Sequence, residues 1–271
     1  MNNLSNNQPI GFLDSGVGGL TVVKEAMKQL PNETVYYIGD TLRCPYGPRP
    51  QEEIKQFTWE MTQFLLKQNV KMIVFACNTA TAIALEEIKN AIDIPVVGVI
   101  IPGTRAAIKL TNNQRIGVIG TAGTINSEEY TKAIHKKAPK TEVFGLACPK
   151  FVPIVESKQY ESEIARQVVD ETLDTFKDKA IDTLVMGCTH YPLLKPLIAE
   201  KMGQGVSLID SGAETVSEVS MLLDYYDISA DATEEEKDHH FYMTGSKKLF
   251  EDISYDWLSA RNITFNRVTL P

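Results

Sequence analysis

No uncharged apolar run in the sequence approaches the roughly 18 residues that a membrane-spanning helix needs, so no span is expected. The opening stretch MNNLSNNQ has neither the basic n-region nor the apolar core of a secretory leader. Basic residues are outnumbered: 27 Lys and Arg stand against 35 Asp and Glu, a formal charge of -8. A surface of that sign repels phosphate backbones and anionic lipid, so no nucleic acid and no membrane surface is expected as a partner. Together these absences lead to an expected cytoplasmic location. Cysteine is scarce too, and a reducing compartment keeps Cys44, Cys77, Cys148 and Cys188 as thiols. No Cys-x-x-Cys motif is present, which removes the usual close-pair redox chemistry.

What remains is an ordinary globular composition, 43% hydrophobic and 23% charged, in a chain of 271 residues that can form one large domain or two modest ones. β-branched apolar runs alternate with longer amphipathic segments, the pattern of strand–helix units building a parallel sheet. Strands are expected at 10–13, 35–38, 72–76, 96–99, 115–119, 142–146, 183–186, 206–209 and 240–243, and helices at 52–67 and 161–176 among others. The acidic run 232–238 reads as solvated surface. Two short echoes stand out: GFLDSG (11–16) against SLIDSG (207–212), and VFACNT (74–79) against VMGCTH (185–190). Two related halves facing a cleft would explain all four segments, with chance similarity of short strands as the rival. The expected fold is α/β, with two similar lobes, each a mainly parallel sheet flanked by helices, and the active site in the cleft between them. GVIIPGT (98–104) would carry the chain across and the second DSG would bring it back. That makes residues 1–98 and 210–271 a discontinuous first lobe and 99–209 the second.

Ligands of open parallel sheets gather beyond the carboxyl ends of the strands, where Cys77 and Cys188 both fall. Each is followed by residues able to cap a helix, and a helix N-terminus favours a thiolate. A single free cysteine is most often buried and inert; the pair, each with polar neighbours, favours chemistry. A zinc site from Cys77, Cys188 and His190 would lack the paired short spacings of structural sites. Hydrolysis by one cysteine nucleophile would leave the second unexplained. A two-base reaction uses both: one thiolate removes a proton from carbon and a thiol on the opposite face returns one, which inverts a stereocentre without a cofactor. Asp14 and His190 are the natural assistants, although the first could simply cap a helix and the second could be structural.

Gly16, Gly18 and Gly19 in DSGVGGLTVV (14–23) bare backbone N–H groups at a helix start, suited to a carboxylate or phosphate. A dinucleotide fingerprint with Asp40 as the ribose ligand is the rival reading. Thr21 in place of the third glycine, and Asp14 beside the would-be pyrophosphate, count against it. Cys44-Pro45-Tyr46-Gly47 forms a turn that presents a phenol, and the segment 120–124 offers hydroxyls and N–H groups; either could be turn chemistry alone.

Taken together, GFLDSGVGGLTV, GDTLRCPYG, FACNTATA, VIGTAGTI and MGCTHYPLL occur in the order, and over most of the length, of glutamate racemases, and the chain resembles that cofactor-independent family. The resemblance implies that Cys77 acts on D-glutamate and Cys188 on L-glutamate, with Asp14, His190 and Glu156 tuning the thiols or the substrate ammonium. It implies substrate contacts from Asp14, Ser15, Tyr46, Gly47, Asn78, Thr79, Thr121, Thr189 and His190, with no metal and no cofactor. It further implies a homodimer and a part in supplying D-glutamate for peptidoglycan. Leu42 stands where a smaller residue is expected. Arg43 is the one arginine in these segments, so backbone N–H groups and hydroxyls are expected to bind the substrate carboxylates. A racemase for aspartate or another acidic amino acid, a nucleotide-dependent dehydrogenase and a non-catalytic amino-acid binding protein are the alternatives.

Overall fold

A computed structural model describes residues 6–232, 236–258 and 262–271. Among them run ten strands: β1 (Ile10–Asp14), β2 (Val35–Gly39), β3 (Met72–Phe75), β4 (Val96–Gly98), β5 (Arg115–Gly120), β6 (Glu142–Ala147), β7 (Thr183–Gly187), β8 (Ser207–Asp210), β9 (His239–Met243) and β10 (Ile263–Arg267). The helices are α1 (Leu20–Gln29), α2 (Gln51–Lys67), α3 (Asn78–Lys89), α4 (Ile100–Leu110), α5 (Ala122–Asn126), α6 (Glu129–Lys137), α7 (Phe151–Glu156), α8 (Glu163–Leu173), α9 (Lys195–Met202), α10 (Ser211–Tyr225) and α11 (Lys247–Trp257).

All nine expected strands form, within a residue or two of their expected ends. The tenth, ITFNR, escaped notice because it alternates apolar and polar residues at a sheet edge, where only Phe265 is deeply buried. The helix expected at 161–176 ends as α8 at Leu173 and tightens into a 3-10 turn, Asp174–Phe176. Of the acidic run, 233–235 lie outside the described residues.

Every strand pairing is parallel. One sheet has the order β10-β9-β2-β1-β3-β4 and the other β6-β5-β7-β8, so the architecture is the expected α/β pair of parallel sheets flanked by helices. Parallel strands are covered on both faces, which is why β1, β3 and β7 are buried at every position. The order β2-β1-β3-β4 repeats as β6-β5-β7-β8, so β3 and β7 are equivalent, and so are the cysteines that follow them. The echo VFACNT/VMGCTH therefore has a topological basis. The DSG echo does not, because β8 corresponds to β4 rather than to β1. Its likeness is local: Asp14 and Asp210 each accept the N–H of the glycine two residues on, Gly16 at 2.9 Å and Gly212 at 3.0 Å.

At the opposite end of the first sheet, Lys71 is fully buried, with Nζ 2.7 Å from Glu33 Oε2. It also donates to the carbonyls of Asn6 at 2.7 Å and Ile228 at 2.6 Å, tying the chain before β1 and the chain after α10 to the foot of β3.

Candidate active site

Register sets the site. Leu13 pairs with Phe75, which puts Asp14 beside the residues leading to Cys77; Gly120 pairs with Gly187, which puts Thr121 abreast of Cys188. Three strand ends cap the next helix. Cys77 caps α3, Thr121 caps α5 and Asp210 caps α10, each taking a backbone N–H with its side chain.

Cys77 Sγ accepts from the Ala80 N–H at 3.4 Å and lies 3.7 Å from Ser15 Oγ. Burial and the nearby Asp14 carboxyl push its pKa up to about 12, against the pull of the Ala80 N–H and Ser15, so Cys77 is a protonated thiol at neutral pH. Cys188, also buried, has its Sγ 3.8 Å from His190 Nδ1. The other ring nitrogen, Nε2, lies 3.1 Å from Glu156 Oε1. Burial works against charge on His190, but the contacts with Cys188 and Glu156 outweigh it and hold the pKa up at about 10. Burial likewise pushes the Glu156 carboxyl up, and His190 and Cys44 reverse it, leaving the carboxyl below its usual value. His190 is thus an imidazolium with a carboxylate on one side and a cysteine sulfur on the other.

Asp14 is fully buried, and burial raises its pKa against the opposing influence of His190 and the Gly16 N–H. Its Oδ1 accepts from Thr189 Oγ1 at 3.4 Å, and Thr21 Oγ1 donates to the Thr189 carbonyl at 2.9 Å, so α1 and the Cys188 loop are stitched together. That approach needs glycine at 18: a Cβ there would lie 2.5 Å from His190 Nδ1.

Ser15, Tyr46, Gly47, Cys77, Asn78, Thr79, Thr121, Cys188, Thr189 and His190 line one cavity of about 20 Å³, room for about one water. Asp14 and Glu156 stand behind this wall and act on it through Thr189 and His190. Hydroxyls cluster on the wall: Thr79 Oγ1 is 2.8 Å from Thr121 Oγ1 and 3.2 Å from that of Thr124. The Tyr46 phenol is turned away and donates to Asp40 Oδ2 at 2.5 Å. Arg43 is turned away too, held by Asp40 at 2.6 Å and Glu60 at 2.5 Å and stacked on Phe57. Sequence reading did not single out Cys44, Pro45, Val152 or Gly187 for this wall, although all but Val152 lay within quoted motifs. Among the described residues no group of three or more His, Cys, Asp and Glu is arranged to hold a metal ion. No helix among them is long and apolar enough to cross a membrane. A larger cavity of about 670 Å³, bordered by Leu85, Val97, Ile101, Arg105 and Tyr226, contains neither cysteine.

Comparison with known proteins gives the same direction. The family described as Asp/Glu/Hydantoin racemase matches residues 18–219. The chain is 61% identical over 267 residues to the glutamate racemase of Enterococcus faecalis, covering 98% of each. A glutamate racemase isoform from Bacillus anthracis superposes with a TM-score of 0.94 at 45% identity, covering 98% of this chain and 99% of that one. The Francisella tularensis glutamate racemase, solved in complex with D-glutamate, gives 0.90 at 37% identity over 97% and 98%. The chain belongs to the Asp/Glu/Hydantoin racemase family and, within it, to the glutamate racemases.

Proposed function

We propose that this chain interconverts L- and D-glutamate by a two-base reaction on Cys77 and Cys188. The observation that carries the reading is the pair of buried thiols at equivalent strand ends on one cavity, one a protonated cap and the other beside an imidazolium. From L-glutamate, the Cys188 sulfur takes the α-proton while the Cys77 S–H delivers its proton to the opposite face, and the C–H electron pair passes through the α-carbon to the new bond. The protonated His190 gives the Cys188 sulfur a counter-charge that Glu156 keeps in place. From D-glutamate the two sulfurs exchange roles. Asp14 neighbours the position the substrate ammonium would take.

The carboxylates of glutamate are met by hydroxyls and N–H groups from Ser15, Asn78, Thr79, Thr121 and Thr189 rather than by arginine. The backbone around Tyr46 and Gly47 closes that side of the cavity. Glutamate far exceeds about 20 Å³, so the lobes, 1–98 with 210–271 and 99–209, separate to admit it. The scheme calls for no cofactor and no metal. The protein works in the cytoplasm as a homodimer and supplies D-glutamate for peptidoglycan.

The test is incubation with L-glutamate in deuterated water, without added metal or cofactor. D-glutamate carrying α-deuterium is the expected product. No exchange, or exchange abolished by a chelator, sinks the two-base scheme, and a faster reaction with aspartate reassigns the substrate.

A further inference from the structure

The hydroxyl of Tyr130, on α6, reaches the start of α3 and donates to Asn78 Oδ1 at 2.7 Å. Both side chains are buried, each 3% exposed. The other end of the same amide, Asn78 Nδ2, is buried without a hydrogen-bond partner, and Asn78 lines the cavity of the two thiols. A primary amide has one acceptor end and one donor end, so its rotation decides which of the two the cavity is offered. An ionised carboxylate only accepts. With the amide turned one way the wall attracts a carboxylate; turned the other way, its oxygen repels one. The Tyr130 hydroxyl also meets Ser211, and with its own proton given to Oδ1 the end of the amide left without a partner is the donor Nδ2, which a carboxylate can satisfy. The ring of Tyr130 also presses on the strand before Cys188, where a Cβ on Gly187 would lie 3.1 Å from ring carbon Cε2.

We propose that Tyr130 is a positioning residue for substrate recognition: its hydroxyl fixes the Asn78 amide so that the N–H₂ end faces the cavity and receives a substrate carboxylate. This rests on the racemase reading above. The neighbouring helices α3 and α6 follow strands of different sheets, so the donor is set only when the two sheets' strand ends come together. Approach of the lobes and presentation of the N–H₂ are then one event. Position 78 discriminates against substrates that bring a donor, such as a side-chain amide, where glutamate brings a carboxylate.

A double-mutant cycle tests this, with the wild type, Tyr130→Phe, Asn78→Ala and the combination compared by KM and kcat in both directions. Where turnover is too slow, Kd for D-glutamate by calorimetry replaces KM. Tyr130→Phe keeps the ring and loses the hydroxyl, with its bonds to Asn78 and Ser211. It is expected to raise KM about 5- to 20-fold and change kcat by less than about 3-fold, in line with the loss of one buried hydrogen bond. In the Asn78→Ala background the same substitution is expected to change KM by less than about 2-fold. An unchanged KM, an equal factor in both backgrounds, or a loss confined to kcat overturns the assignment. Should Tyr130→Phe not fold, 4-fluorophenylalanine at position 130 takes its place with the same expectations. A wild type that does not racemise glutamate removes the parent reading instead, before any variant is compared.

Discussion

Cys44 Sγ lies 3.5 Å from Glu156 Oε1, joining the loop after β2 to the helix that holds the partner of His190. Burial, with Glu156 and Asp14 close by, drives the Cys44 pKa far above its usual value, so it is a permanent S–H donor to that carboxylate. Cys44→Ser keeps a donor, and activity is expected within about 3-fold of wild type. Cys44→Ala removes it and is expected to lower kcat/KM by about 3- to 10-fold, the worth of one hydrogen bond from a weak S–H donor. Steady-state kinetics on the two variants separate a donor role from mere space filling.

Cys77→Ser and Cys188→Ser each remove one acid/base group. Each is expected to cut kcat by at least about 100-fold, the lower end of what a positioned general acid or base supplies. Cys148, buried with its Sγ 3.6 Å from the Leu146 carbonyl, does not line the cavity of the two thiols, and Cys148→Ser should leave activity per folded molecule largely intact. Full activity in either of the first two variants overturns the two-thiol scheme.

The His190–Glu156 pair sets a pH window. The folded pKa of His190, about 10, lies above the ordinary histidine value of 6.5. Its stabilising contribution is therefore complete below about 6.5 and lost as pH rises through about 10. Glu156 is shifted the other way, so its contribution is present above the ordinary 4.5 and fades only at more acid pH. Stability should fall progressively from about pH 6.5 to pH 10, whereas kcat/KM should stay level across neutrality and drop only towards pH 10. In His190→Asn, thermal unfolding followed against pH should lose the alkaline decline.

Lys71 and Glu33 form a buried pair remote from the thiols. Lys71→Met strands a carboxylate and is expected to cost about 3 kcal/mol in denaturant unfolding, whereas Lys71→Met with Glu33→Gln should recover most of that loss. Glutamate kinetics of the folded fraction should not change, since none of these groups approaches the cavity.

The sheets were legible because parallel strands buried on both faces are written as continuous apolar runs, as in MIVF and TLVMG. The cysteines were legible because each ends such a run. β10 was not, since ITFNR spends polar residues on an exposed edge. Tyr130 lies in the polar helix EYTKAIHKK, and its value comes from what it meets across the chain, which no local pattern encodes. The same holds for the Tyr46 phenol: its motif brings the residue to the wall, but only the fold shows that Asp40 claims the hydroxyl.

The protonated state of Cys77 gives the proposed cycle a direction of rest. Each passage from L to D moves one proton from Cys77 to the product and leaves one on Cys188, so the protein finishes in its other proton form. That form carries a buried Cys77 anion next to Asp14, the arrangement that keeps this thiol's pKa near 12. The free protein therefore relaxes by taking up a proton at Cys77. In the proposed scheme a run from D to L begins from the scarce Cys77 anion.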